Sequence, residues 1–253
     1  MFRHFDSFGA RDKSWMLAWM LVLISVLNVT AQEDETPGEP KKRESSREAL
    51  LIYAEAAGFQ NNKQFDLAAV EWAKFLDQHN DDPRAVDALY NLAICQIQER
   101  GFKEAAENLE RVIQRAEEDF DRIEDTYLNL GWSQYSVALE NQPEFFPTAS
   151  KTFDALLKKF PKSRFRDQAL FFGGESLYLQ GKFEAAVESY SELVEKHDDS
   201  DLHSDAMYAL GVTMEDLRQF KDAGEIFDAF MKLYPDHDLA TEVKMRKAET
   251  VLQ

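Results

Sequence analysis

The sequence predicts an all-α fold, an α-solenoid of five helical hairpins with a period of 37 residues, followed by a C-terminal capping helix. Two observations predict it. One short apolar pattern recurs five times along the chain, and apolar residues keep helical spacing from about Arg47 to the C-terminus. A pattern that returns every 20 to 50 residues or so is typical of stacked helical units, which bury their apolar faces against one another.

The recurring pattern marks the second helix of each hairpin. An aromatic residue is followed by alanine three places later, and by apolar residues seven and ten places later. The five copies begin at Phe65, Phe102, Phe146, Phe183 and Phe220, so the spacings are 37, 44, 37 and 37 residues. Side chains at these spacings share one helix face, which we expect to pack against the first helix of the same hairpin.

A small residue marks the first helix of each hairpin. It lies nine places before the aromatic residue in four copies and fifteen places before it in the third. These small residues are Ala56, Ala93, Gly131, Gly174 and Gly211. A second small residue follows two places later, at Gly58, Cys95, Ser133, Ser176 and Thr213. Because small side chains let helices approach closely, we expect Cys95, the only cysteine, to be a packing residue.

The third repeat departs from the period. Six extra residues lie between Gly131 and Phe146, and this stretch includes Pro143 and Phe145. Proline next to a pair of phenylalanines predicts a rigid apolar loop tip. Repeat arrays often carry their specificity in such insertions, so we hypothesise that Pro143 and Phe145 contact a partner.

The N-terminal region predicts a signal peptide and a tether. Three basic residues precede an almost wholly apolar run, Trp15–Leu27, and Val29-Thr30-Ala31 provides the small residues of a signal peptidase site. The run is shorter than the ~20 residues of a spanning helix, so we predict cleavage and no stable membrane anchor, with an uncleaved anchor as the alternative. The predicted organisation is a signal peptide at 1–31, a flexible tether at 32–47, five repeats at 48–238 and a capping helix at 239–253.

Charge and motifs argue against several functions. The net charge is −18, and without residues 1–31 the chain has 26 Lys and Arg against 45 Asp and Glu. Nucleic acids and anionic membrane surfaces require basic patches, so neither is predicted as a partner. No catalytic Ser/His/Asp set or phosphate-binding glycine loop is visible, and the acidic turn His197–His203 lacks the glycine and the terminal glutamate of a calcium loop. We predict no enzyme activity, no cofactor and no bound metal.

The repeat resembles the tetratricopeptide repeat (TPR) in the order of its small, alanine and aromatic residues. Leu130-Gly131 and Leu210-Gly211 resemble the Leu-Gly pair of that family, and Phe160-Pro161 and Tyr234-Pro235 resemble its terminal proline. The likeness covers about residues 48–236. The 37-residue period is similar to that of bacterial envelope members, which include the periplasmic TPR protein of the Tol-Pal system and the lipoprotein of the outer-membrane assembly machine. The resemblance implies an exported scaffold, periplasmic or extracellular, that binds another envelope protein.

The resemblance also implies a binding groove, because the family lines its concave face with certain first-helix positions. The matching residues here are Tyr53, Tyr90, Trp132, Tyr135, Phe171, Glu175, Tyr178, Tyr208 and Glu215, with Leu128 in the third copy. Their aromatic side chains would form a platform for an extended peptide or an apolar helix. The alternative is that they pack between adjacent first helices, and the sequence leaves both interpretations open. Two further interpretations also remain open. The chain could bind a small molecule or glycan, or it could be a regulatory fragment of a larger repeat protein.

Overall fold

A computed structural model describes residues 44–117 and 120–250 of the chain. The predicted signal peptide and residues 32–43 of the predicted tether lie outside the described residues, as do the last three residues of the predicted capping segment. In the part that is described, no helix combines the length and apolar character that crossing a membrane requires.

Eleven α-helices and one short 3-10 helix follow one another in the described residues. They are α1 (Arg47–Asn61), α2 (Phe65–Gln78), α3 (Ala85–Gln98), α4 (Phe102–Arg115), α5 (Ile123–Leu139), the 3-10 helix (Pro143–Phe145), α6 (Phe146–Lys159), α7 (Arg166–Tyr178), α8 (Phe183–Lys196), α9 (His203–Asp216), α10 (Phe220–Leu233) and α11 (Ala240–Thr250). Each α-helix packs against the next one along the chain. The helices α1 to α10 form five hairpins and α11 covers the last of them, which confirms the predicted α-solenoid.

The array begins within the predicted tether. Arg47, the last residue assigned to that tether, is the first residue of α1. The hydroxyl of Ser46 accepts a hydrogen bond from the backbone N–H of Ala49 at 3.1 Å, which caps the helix. The hydroxyl of Ser45 donates to Asp82 at 3.0 Å, in the turn that leads to the second hairpin. These contacts show that residues 45–47 belong to the folded array.

Each regular hairpin turns on one residue in the left-handed conformation. These residues are Lys63, Arg100, Gly181 and Arg218, with φ of 59°, 61°, 73° and 59°. The next backbone N–H donates to the carbonyl oxygen five residues back, as Gln64 N does to Phe59 O at 3.0 Å. This bond closes the first helix, and the aromatic residue that follows begins the second.

The first row of small residues gives space to an aromatic ring of the second helix. A Cβ atom built on Gly131 would lie 2.7 Å from the ring of Phe153, and one built on Gly211 would lie 2.3 Å from the ring of Phe227. Ala56 is fully buried in the first hairpin, where Trp72 occupies the equivalent place. The expected close approach of the two helices is therefore confirmed for this row.

The second row of small residues packs between neighbouring repeats, with one exception. Cys95, Ser133, Ser176 and Thr213 are all fully buried. Gly58 is different, because a Cβ atom built there would meet nothing within 4 Å in the part of the chain that the structure describes. On the same helix, Leu51 is 63% exposed. The first hairpin thus has an uncovered face among the described residues, and close approach does not explain Gly58.

The extra residues of the third repeat form helix rather than a loop tip. The helix α5 has 17 residues, three more than α3, α9 or the second helices. Val137 and Ala138 in its last turn are buried, and the 3-10 helix continues the chain into α6. The expectation of a protruding loop is wrong here, because these apolar side chains pack against the core of the same repeat.

Candidate functional site

The first helices line one side of the array and form a groove. Neighbouring first helices contact one another, α3 with α5, α5 with α7, and α7 with α9, whereas the second helices of neighbouring repeats make no comparable contact. Helices that approach more closely lie on the inner side of a curved stack. We call the surface formed by α1, α3, α5, α7 and α9 the groove.

A row of tyrosines in the groove is covered by arginines of the following element. The guanidinium carbon of Arg84 lies 4.5 Å from the centre of the Tyr53 ring, and that of Arg122 lies 4.8 Å from Tyr90. Tyr90 is buried and Tyr53 is half-buried. These two predicted groove residues therefore pack between repeats, where a cation over an aromatic face adds stability.

Tyr208 has the same arrangement at the C-terminal end of the groove. Arg246 of α11 lies 5.6 Å from the centre of its ring, and its Nε atom donates to the Tyr208 hydroxyl at 3.2 Å. Arg246 also donates to Glu215, another predicted groove residue, at 2.8 Å. Tyr208 in turn donates to Glu242 of α11. Tyr208 and Glu215 thus hold the capping helix in place.

Phe171 and Leu128 are the apolar members of the same row, and both are half-buried. The ring of Phe171 lies 5.2 Å from that of Phe172 and 6.2 Å from that of Tyr190. Leu202, at the place where the first two repeats have an arginine, packs against the same buried cluster as Phe171. The middle of the groove is therefore lined by apolar side chains.

Trp132 and Tyr135 differ in their exposure. Trp132 is half-buried, and its ring centre lies 4.8 Å from that of Phe172. Tyr135 is 1% exposed, since the rings of Phe146 and Phe172 cover it at 5.9 Å and 5.8 Å. The ring of Tyr135 therefore belongs to the core and offers no platform to a ligand, which corrects its assignment as a groove residue. Its hydroxyl still reaches a groove residue, Glu175.

Glu175 is a carboxylate held by a tyrosine. The hydroxyl of Tyr190 donates to its Oε1 atom at 2.7 Å, and the hydroxyl of Tyr135 also acts on it. Burial raises the pKa of the Glu175 carboxyl, and the two hydroxyls offset part of that rise. Burial next to this carboxylate likewise raises the pKa of both tyrosines. Glu175 is thus a poorly solvated carboxyl group that a tyrosine hydroxyl holds in place.

Asp205 of α9 is an acidic group whose charge acts on Glu175. It is half-buried, and burial raises its pKa, while the charge of His237 partly opposes the rise. Among the described residues, no lysine or arginine forms an ion pair with Glu175 or Asp205. The sequence analysis did not single out Asp205. The signal was present, because an aspartate six places before the small residue also occurs at Asp87 and Asp125.

Tyr178, Pro143 and Phe145 complete the predicted set. The hydroxyl of Tyr178 donates to Asp216 of the next repeat at 2.8 Å, and burial raises its pKa to about 12. Pro143 is exposed at the start of the 3-10 helix. Phe145 is half-buried against the core of the third repeat. The structure therefore brings Phe171, Glu175 and Tyr178 together on α7, and it places Pro143 and Phe145 in a separate helical segment.

The histidine-rich turn is accounted for by packing. The Nδ1 atom of His203 lies 2.7 Å from the Tyr234 hydroxyl, and its Nε2 atom lies 3.2 Å from the Val194 carbonyl oxygen. The hydroxyl of Ser200 donates to Asp167 of the preceding repeat at 2.6 Å. No group of three or more His, Cys, Asp or Glu in residues 44–117 and 120–250 is arranged to hold a metal ion. Burial raises the pKa of the Cys95 thiol to about 12, so the reactive thiolate is disfavoured.

The chain belongs to the tetratricopeptide repeat family. The family model matches residues 53–120, 144–201 and 173–238, which together span most of the described array.

Solved structures with the same fold include those of three other proteins. YrrB, a TPR protein with an unusual peptide-binding site, is 21% identical, and the match covers 78% of this chain and 92% of YrrB with a TM-score of 0.62. MamA from Desulfovibrio magneticus is 15% identical, over 76% of this chain and 98% of MamA, with a TM-score of 0.60. A TPR protein from Parabacteroides merdae is 13% identical, over 82% of this chain and 73% of that protein, with a TM-score of 0.62. No curated protein matches the sequence.

Proposed function

We propose that this chain is an exported, non-enzymatic scaffold of the bacterial cell envelope that binds a protein partner in its groove. One observation carries the proposal. Trp132, Phe171 and Tyr178 lie half-buried along the middle of the groove, so each retains aromatic surface that faces solvent. Aromatic surface at a concave site is the usual anchor for an extended peptide segment, since it buries a large apolar area with few rotatable bonds.

The comparisons support the kind of partner, whereas the compartment rests on the sequence alone. Proteins of the TPR family bind protein partners, and YrrB is described as having a peptide-binding site. Export and an envelope role rest on the signal-peptide pattern of residues 1–31 and on the resemblance of the 37-residue period to envelope members. The proposal follows from these observations taken together.

Photocrosslinking in the native host tests the groove. A photoreactive amino acid at Leu179, which is 45% exposed beside Tyr178, should capture a discrete protein partner. The matched control places the same amino acid at Glu188, an exposed position of the second helix α8. A partner captured equally from both positions, or from Glu188 alone, would show that the groove is not the binding surface.

Mass spectrometry of the protein from its host tests export. The mature chain should begin at Gln32, and chains that retain residues 1–31 would contradict cleavage. If no protein crosslinks to the groove while a glycan or small molecule raises the melting temperature, the scaffold proposal fails in favour of a ligand-binding protein.

A further inference from the structure

Three acidic groups of the groove have a cation from the same chain. Asp87 pairs with Arg122, and Asp125 pairs with Arg164 at 3.0 Å. Glu215 pairs with Arg246 at 2.8 Å. In each case the cation comes from the next element along the array, so these pairs hold neighbouring repeats together.

This pattern breaks between the fourth and fifth repeats. Asp205 holds the same place in its helix as Asp87 and Asp125, yet the residue that matches Arg122 at the next helix start is Leu239. Glu175 follows the small residue of its repeat directly, where the other four repeats have uncharged side chains. Those side chains are Ala57, Ile94, Trp132 and Val212. Two carboxylates therefore lie in a partly desolvated place without a lysine or arginine from the described residues.

Such an arrangement opposes folding, since a half-buried carboxylate without a counter-ion recovers only part of the solvation that it loses. The structure nevertheless fixes Glu175 with the hydroxyl of Tyr190. Along α7, Phe171 lies four residues before Glu175 and Tyr178 lies three residues after it, so all three share one helix face. A cationic side chain that enters here would meet a carboxylate at its head and aromatic rings along its stem.

We infer that the groove binds an extended segment that carries a lysine or arginine, and that this side chain lies between Glu175 and Asp205. The inference rests on the proposed function and adds the chemical class of its partner. The partner's cation takes the place that Arg122, Arg164 and Arg246 fill elsewhere in the groove. Charge complementarity of this kind selects among partners, because a neutral side chain would leave both carboxylates uncompensated.

Peptide selection tests the inference with random sequences, so the natural partner need not be identified first. Random twelve-residue peptides displayed on phage are selected on the purified protein and on a Glu175→Gln, Asp205→Asn variant. The wild type should enrich lysine or arginine at one fixed position, and the variant should not. A synthetic peptide from the selection should bind the wild type about tenfold more tightly than its citrulline or norleucine counterpart, and this ratio should fall to about one on the variant.

Two controls separate the possible results. A Glu188→Gln, Asp222→Asn variant removes the same charge from exposed positions of the second helices and should retain the preference. A third variant, Leu179→Arg, obstructs the groove. If the selected peptides fail to bind this variant but show no preference for lysine or arginine, this inference is overturned and the groove remains the binding surface. Peptides whose binding is indifferent to Leu179→Arg would overturn the proposed function as well.

Discussion

Gly174 and Tyr190 lie so close that a Cβ atom on residue 174 would be 2.6 Å from the Cε1 atom of the tyrosine ring. The same tyrosine donates its hydroxyl to Glu175, at 2.7 Å. The absence of a side chain at one residue therefore allows a core ring to reach the carboxylate of the next residue. Packing and the candidate site are connected at this point of α7.

We expect Gly174→Ala to lower the free energy of unfolding by about 1–3 kcal/mol, because the tyrosine ring must move away from a buried position. Gly174→Leu should lower it further. Urea unfolding followed by circular dichroism measures the effect. The matched control is Gly58→Ala, which meets no atom within 4 Å and should stabilise the protein by about 0.5–1 kcal/mol, as expected for a helical glycine in open space. Equal effects at the two sites would contradict the packing described here.

The hairpin turns provide a second pair of substitutions. Gly181 has φ of 73°, so Gly181→Ala should lower the free energy of unfolding by about 1–2 kcal/mol through backbone strain. Arg218 holds the equivalent place in the fifth repeat with φ of 59°, and Arg218→Gly should relieve that strain. Opposite signs in thermal melts are the expected result. A destabilising Arg218→Gly would mean that the arginine side chain contributes more than its backbone costs.

The raised pKa of Glu175 should make the stability of the protein depend on pH. Burial raises its pKa in the folded state, so the unfolded chain ionises first as the pH rises, and the protein loses stability between the unfolded and folded pKa values. The full penalty is present above the folded pKa and disappears below the ordinary glutamate pKa. Glu175→Gln should therefore melt at a higher temperature than the wild type at pH 7, and the difference should shrink as the pH falls through the folded pKa and vanish below about 4. A variant that is less stable than the wild type at pH 7 would show that the tyrosine hydrogen bonds outweigh desolvation.

Arg246 should hold the capping helix α11 against the last hairpin. Its guanidinium bonds to Tyr208 and Glu215, so Arg246→Gln should loosen α11 and expose the last hairpin. Hydrogen exchange of the α11 amides should become faster, with a loss of about 1 kcal/mol in stability. Lys221→Gln is the control, because Lys221 pairs with Glu225 at an exposed site and should contribute almost nothing.

The sequence predicts the register of both helices in every repeat, because a small residue and a large apolar side chain must coincide across each hairpin. It does not predict which groove aromatics are exposed. Tyr135 and Trp132 are three residues apart on one helix, and their burial depends on the longer α5 and on Phe146 and Phe172, which close over Tyr135. Exposure of this kind depends on contacts between repeats, which the repeat pattern alone does not specify.

The charge pairs of the groove show the same limit. Arg84 and Arg122 follow Tyr53 and Tyr90 by 31 and 32 residues, so each pair forms only after two repeats have stacked. The position of Asp205 can be read from its alignment with earlier aspartates. Its lack of a cation depends on Leu239, which lies 34 residues later in the chain. The uncompensated carboxylates therefore become visible only in the assembled array.

Among the described residues, the uncovered face of the first hairpin makes the array directional for protein engineering. Leu51 is 63% exposed, whereas its counterparts Ala88, Thr126, Ala169 and Ala206 are all fully buried. A hairpin grafted in place of residues 1–43 would find a contact surface on the described array and should bury Leu51. Lengthening the array after α10 would first require displacing α11 and the bonds of Arg246. Growth of this solenoid is therefore easy at one end and opposed at the other.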